Sequence, residues 1–266
     1  MAQRVISGLR VVCTGASSGI GAALSRQLVA QGAHVLMVAR REDRLNEVKD
    51  SLQGLTGQAF VHKVDITDDV SRQGIADFID NQWGGSLDLL VNNAGVGSIE
   101  SFSSSDEETL RKVMEVNFFA PIDLIRLLLP KLKQGIQPVV CNVGSVLGHV
   151  AVPRKSEYCA SKFALHGMTD SLRIELAGEG IDMVLASPST TGSEFFKSVL
   201  NGAEAEDAKR RGMSPDVVAQ KIISGVSKGK REIILSTGGK LLVLADRLVP
   251  GILSRILTRR EEKRRR

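Results

Sequence analysis

Residues 10–30, RVVCTGASSGIGAALSRQLVA, pass from a β-branched run through a glycine-rich turn into a helical pattern without interruption. Arg10–Thr14 reads as a strand, Thr14–Gly21 (TGASSGIG) as a tight turn, and Ile20–Ala30 as an amphipathic helix. Glycines in such a turn let the backbone bend sharply, approach a pyrophosphate and pack the helix closely on the strand. The helix N-terminus then turns amide donors toward negative charge. A strand before and a helix after are the context that makes a glycine-rich loop a dinucleotide cradle. The spacing of Gly15, Gly19 and Gly21 departs from the plain GxGxxG pattern.

Beyond that turn, short apolar runs alternate with longer helical patterns, the rhythm of βαβ units and a mostly parallel sheet. Further strands are predicted over residues 34–39, 59–64, 87–91, 138–143, 181–186 and 232–235, and helices over 44–52, 70–82, 107–119, 121–133 and 156–177. The expected fold is α/β: a doubly wound parallel sheet of about seven strands with helices on both faces. The helix from Glu107 carries a start signal, since Ser105 followed three residues later by Glu108 matches a capping box. Residues 1–250 read as one domain, with 190–214 a long polar segment suited to a substrate lid and 251–266 a basic tail.

With 266 residues, 42% of them hydrophobic, the chain can bury one sizeable core. The first strand begins within about ten residues of the N-terminus, which leaves no room for a secretory leader, and no run reaches the ~20 apolar residues of a membrane span. These features point to a cytoplasmic protein. Cys13, Cys141 and Cys159 lack metal-ligand spacing, and reduced thiols are expected. No metal site is expected; the histidines read as structural and Trp83 as a core-edge residue. The formal charge of +5 equals the net charge of the tail from Arg255 onward, so the remaining chain is neutral. That argues against a nucleic-acid-binding face on the folded body.

The only tyrosine, Tyr158, stands four residues before Lys162 at the start of a helical pattern. Residues at that spacing are neighbours on a helix, so a fixed ammonium is expected to lower the phenol's pKa from about 10 and suit it to proton transfer. The structural alternative is an aromatic anchor beside a surface lysine.

Together with the glycine turn, these residues resemble the short-chain dehydrogenase/reductase (SDR) family over nearly the whole chain. TGASSGIG looks like the family's TGxxxGxG turn, and Asn92-Asn93-Ala94-Gly95 like its NNAG motif. Asn117 falls where the family keeps a catalytic asparagine, and Ser145 precedes Tyr158 by the family's serine-to-tyrosine spacing of thirteen. The resemblance implies a Rossmann fold and hydride transfer between a nicotinamide cofactor and a carbonyl or alcohol. In it Tyr158 is the general acid/base, Ser145 a donor to the carbonyl, Lys162 a ligand of the ribose hydroxyls, and Asn117 the holder of a relay water. Chemistry agrees, because an oxygen that gains negative charge on hydride addition needs donors and a proton. Cofactor contacts are implied for Gly15, Ser17, Ser18, Gly19, Ile20, Gly21, Asn93, Ala94, Gly95, Tyr158 and Lys162. Asp65, with Ile66 beside it, resembles the acid that holds the adenine amino group. The loop after the sixth strand resembles the family's PG motif but carries Ser189 where glycine is usual; Pro188, Thr191 and Ser193 are its cofactor candidates.

At the end of the second strand a carboxylate would favour the ribose diol of NAD, whereas a cation favours a 2′-phosphate. Ala39 stands where that acid is usual, followed by Arg40 and Arg41. NADP(H) is therefore expected, with Arg40 the main phosphate ligand and reduction the favoured direction. His149 and Phe195 are candidate substrate contacts. The family implies a homodimer or homotetramer, with which the apolar run 122–132 is compatible. The C-terminal stretch reads either as an edge helix with a solvated tail or as an interfacial anchor drawn to anionic lipid. The alternatives to an enzyme are a catalytically silent NADP-binding sensor and a membrane-docked binding protein on the same fold.

Overall fold

The computed structural model describes residues 3–191 and 212–265. One parallel sheet runs in the order β3-β2-β1-β4-β5-β6-β7. Its strands are β1 (Arg10–Thr14), β2 (His34–Ala39), β3 (Gln58–Lys63), β4 (Leu89–Asn92), β5 (Val139–Val143), β6 (Asp182–Ser187) and β7 (Glu232–Ile234). The helices are α1 (Gly19–Ala30), α2 (Glu42–Asp50), α3 (Asp69–Trp83), α4 (Glu107–Met114), α5 (Ala120–Leu132), α6 (Ser156–Glu175), α7 (Pro215–Ser227), α8 (Thr237–Leu248) and α9 (Pro250–Arg265). This is the doubly wound Rossmann sheet that the alternation of patterns predicts.

A sheet covered on both faces needs strands that are apolar on both faces. Every residue of β5 is buried, as is all of β2 after His34. Side chains then sort by the two-residue period of a strand. Val11 and Cys13 join Leu24, Leu28 and Ile222 in one core layer, while Val12, Leu36 and Val140 meet Ile79, Leu128 and Leu165 in the other. Trp83 is partly buried against the second layer, edge-on to Phe60 and Phe78.

Three expectations change. The helix predicted over 107–119 ends at Met114, and a π-helical turn, Glu115–Phe119, joins it to α5. The cap of α4 is Asp106, whose carboxylate accepts from Thr109 N at 2.7 Å, while the Ser105 hydroxyl is buried without a partner. The turn in which Ser105 N bonds back to Ser101 O moves the cap one residue on. The apolar run 122–132 also serves the core: Ile122, Leu124, Ile125, Leu128 and Leu132 are buried in the second layer.

Candidate active site

The strand order reverses direction between β1 and β4, and in such sheets a crevice opens there beyond the carboxyl ends of the strands. A cavity of ≈ 1420 Å³ occupies that crevice, walled by the segments that follow the first six strands. Pockets for one drug-sized ligand measure roughly 300–1,000 Å³. This one exceeds that range.

The loops after β1 and β4 are built as one unit. Gly15 has φ +66°, and a Cβ on it would lie 2.8 Å from both Ala94 Cα and Asn93 Nδ2, so only glycine allows this approach. Asn93 Nδ2 donates to Thr14 O at 2.9 Å, and the amides of Asn93 and Ala94 both donate to the Thr14 hydroxyl at 3.0 Å. Ser17, Ser18, Gly19 and Ile20 line the cavity at the head of α1, with Gly21 behind them in its first turn.

Arg40 and Arg41 both border the cavity. Arg41 reaches across the glycine turn and donates to Ser17 Oγ (3.2 Å) and Ser18 Oγ (2.9 Å). Arg40 is 63% exposed and lies 3.9 Å from Asp65 Oδ2. Asp65 also accepts from the amide and hydroxyl of Thr67, a local turn that fixes its carboxylate at the cavity rim beside Ile66. Sequence reasoning ranked Arg40 first; the contact that ties Arg41 to the turn depends on how α2 begins and has no sequence signature.

Ser145, Tyr158 and Lys162 converge on one wall of the cavity. Ser145 follows β5, and its Oγ accepts from Leu147 N at 3.1 Å, which closes a short 3₁₀ turn, Val146–Gly148. Gly148 brings that turn against α6, since a Cβ there would meet Lys162 O at 2.7 Å. Behind the wall a buried ladder aligns α6 with the sheet: Asn92 Nδ2 donates to Asn142 Oδ1, and Asn142 Nδ2 to Thr169 Oγ1, both at 2.9 Å.

The electrostatics overturn the expected lowering of the phenol's pKa. Burial pushes Tyr158 up to about 12, and a hydrogen bond with Ser145 opposes the shift only in part. Lys162 is itself desolvated, which lowers its pKa to about 8, and its Nζ donates to Val143 O at 2.9 Å. The ammonium sits 5.8 Å from the tyrosine ring centroid. Loss of water around both groups outweighs their proximity.

Asn117 occupies the π-helical turn and is buried. Its Oδ1 accepts from Val96 N, and its Nδ2 donates to Val96 O and to Ser161 Oγ, at 2.9–3.0 Å. Both amide hydrogens are thus spent on protein groups, which leaves the side chain one acceptor lone pair to offer a water. Sequence reasoning missed Ser161, although helical spacing puts it beside Tyr158 and Lys162.

Pro188 and Thr191 line the cavity after β6, and the Thr191 hydroxyl donates to Ser189 O. Ser193 and Phe195, with most of the lid region, lie outside the described residues. His149 does not border the cavity. Its ring is buried behind the serine turn, with Nε2 2.8 Å from Ser187 Oγ and the ring 4.3 Å from that of His166. Burial, then His166, lower its pKa, so it is a neutral packing group. The thiols of Cys13 and Cys141 are buried and pushed up to about 12, which leaves them inert.

The family profile described as short chain dehydrogenase matches residues 10–204. Dehydrogenase/reductase SDR family member 7B of Mus musculus is 31% identical over 268 residues, covering 96% of this chain and 82% of its own. Among solved structures, an SDR from Burkholderia phymatum in complex with NAD superposes with a TM-score of 0.85 at 22% identity, covering 94% of this chain and 96% of its own. An alcohol dehydrogenase from Thermococcus sibiricus complexed with 5-hydroxy-NADP gives 0.77 at 23%, covering 86% and 96%. At such identities these two speak for the fold alone. The profile match and the murine relative settle the family: this chain is a member of the short-chain dehydrogenase/reductase family of oxidoreductases.

Proposed function

We propose that the protein reduces aldehydes or ketones with NADPH, Tyr158 acting as general acid. The observation that carries this reading is the hydrogen-bonded pair Ser145 and Tyr158 on the cavity wall with Lys162 buried beside it. When bound, the nicotinamide cofactor supplies the hydride for reduction and accepts it in the reverse direction. The cradle of Gly15 to Gly21 and Asn93-Ala94-Gly95 would hold its phosphates, Asp65 and Ile66 its adenine, and Pro188 and Thr191 its nicotinamide end. Lys162 would bind the ribose hydroxyls.

Tyr158 gives its proton to the substrate oxygen while the Ser145 hydroxyl donates to the same atom and stabilises the charge that develops there. A phenol held near 12 stays protonated at neutral pH, which is the form a reduction consumes; oxidation would need the phenolate. Arg40 and Arg41, with no acid at position 39, favour a 2′-phosphate. A silent sensor would keep the glycine turn yet need no donor pair, so the intact pair speaks against it.

Phe119 and Phe163, 48% and 43% exposed on the π-helical turn and α6, support a homodimer or homotetramer better than the buried run in α5. On α8 and α9, Leu241, Leu244, Leu248, Ile252 and Ile256 are 43–70% exposed beside the basic residues of the tail, which supports peripheral docking of a cytoplasmic enzyme on anionic lipid.

The test is NADPH and NADH consumption with a panel of aldehydes and ketones. NADPH should be used at lower KM, and Tyr158→Phe should lose 10²–10⁴ in kcat, roughly the worth of a positioned acid, with nucleotide binding retained in a fluorescence titration. Preference for NADH, or turnover that survives the substitution, would refute the proposal.

A further inference from the structure

The residues that line the cavity include the apolar Leu147 and Val152 after β5 and Leu242 of α8. Lys155 borders the cavity, half-buried, three residues before Tyr158. It occupies the N-cap of α6 and makes no side-chain capping bond there. Both local rules are broken, since N-caps favour Ser, Thr, Asp or Asn and a positive charge is disfavoured at the positive end of a helix.

The surroundings add to the cost. Among the described residues no carboxylate or carbonyl meets the Lys155 side chain. Burial lowers its pKa, the Cys159 thiol acts the other way, and Arg264 of α9 lowers it further. The Cys159 thiol is itself pushed upward by burial and is neutral at physiological pH, so it is no counter-ion. A half-buried cation facing a reaction cavity, with no counter-ion among the described residues, marks a binding group for negative charge. The phosphates of a nucleotide do not account for it, because the residues proposed to hold them follow β1, β2 and β4, whereas Lys155 precedes the reacting tyrosine by three residues.

We propose that Lys155 binds an anionic group of the substrate, an apolar carbonyl compound that also carries a carboxylate or phosphate. The apolar part would lie against Leu147, Val152 and Leu242. Lys155 and Tyr158 border the same cavity, so one bound molecule can meet both. This rests on the reading of the cavity as a site of carbonyl reduction, and it narrows the substrate to acidic amphiphiles.

Calorimetric titration of the NADP⁺-loaded protein with decanoate, decyl phosphate and decan-1-ol tests the site without turnover. Wild type should bind an anionic probe roughly tenfold more tightly than the alcohol, as expected for a charge-assisted hydrogen bond. Lys155→Gln should erase that preference without changing the affinity for decan-1-ol, and Lys155→Arg should keep it. The tighter of the two anions identifies the headgroup. Equal affinity for all three probes in wild type, or a preference that survives Lys155→Gln, overturns the proposal. With 4-oxodecanoate and its methyl ester as substrates, Lys155→Gln should raise KM roughly tenfold for the acid alone and leave kcat within about twofold; an equal rise for both also overturns it. If the anion preference and its loss in Lys155→Gln are found but neither ketone is turned over with either cofactor, the anion site stands and the reductase reading falls.

Discussion

Lys162 is buried and Tyr158 half-buried, and their pKa values move in opposite directions. The lysine sits at about 8 against an ordinary 10.5. Between those values the unfolded chain holds the proton and the folded chain releases it, so stability rises with pH through that window. Below pH 8 the protein bears the full cost of the buried charge, on the order of 3 kcal/mol. The tyrosine, at about 12 against an ordinary 10, has the reverse sign, and its contribution is lost as pH rises from about 10 to about 12. Lys162→Met should therefore abolish activity yet stabilise the fold at pH 7. Allowing about 1 kcal/mol for the lost bond to Val143 O, the gain is about 2 kcal/mol, a Tm rise of roughly 4–8 °C. The stability increase between pH 8 and 10 should vanish as well. Calorimetry at pH 7 and pH 9.5 checks both, and a lower Tm for the variant at pH 7 would show that Lys162 supports the fold instead.

At the scale of elements, the start of α4 and the π-helical turn after it separate what periodicity shows from what contacts decide. Ser105 and Asp106 are both good cap residues by type, and a pattern that scores Ser-x-x-Glu selects the first. The chain caps with the second because the turn Ser101–Ser105 uses up the backbone of Ser105. Asp106→Ala should cost about 1 kcal/mol in urea unfolding, and Ser105→Ala less than about 0.5 kcal/mol. The opposite ranking would restore the capping box. The π-helical turn has a similar origin. Asn117 leaves regular helical geometry to bind Val96 and Ser161, residues far from it in the chain, and no local propensity encodes such a partner.

For the whole molecule, the C-terminal helices matter because they carry several large apolar side chains in exposed positions. Leu242 of α8 and Leu253 of α9 pack on Val146, Val150 and Val243, the cluster that backs the serine turn, while Leu241, Leu244, Leu248, Ile252 and Ile256 are exposed. No helix of the described residues is long and apolar enough to cross a membrane. A chain ending at Val249 should keep its sheet but loosen Val146–Gly148, so kcat should fall several-fold while nucleotide affinity holds. The same truncation should lose co-sedimentation with phosphatidylserine vesicles, and the full chain should lose it when salt rises from 0.05 to 0.5 M. Binding that survives truncation would exclude α9 as the anchor.

The order of strands and helices, the cradle after β1 and the spacing of Ser145, Tyr158 and Lys162 are all written locally, as periodicity, glycine positions and fixed offsets, and one sequence is enough to read them. Other features needed segments brought together from far apart in the chain. The tertiary structure put Arg41 on the turn serines, turned His149 away from the cavity, spent the apolar run of α5 on the core and set Lys155 against a wall completed by α8. Burial decides the pKa values in the same way, because how much water a side chain loses depends on neighbours from other elements and not on the residues beside it in the sequence.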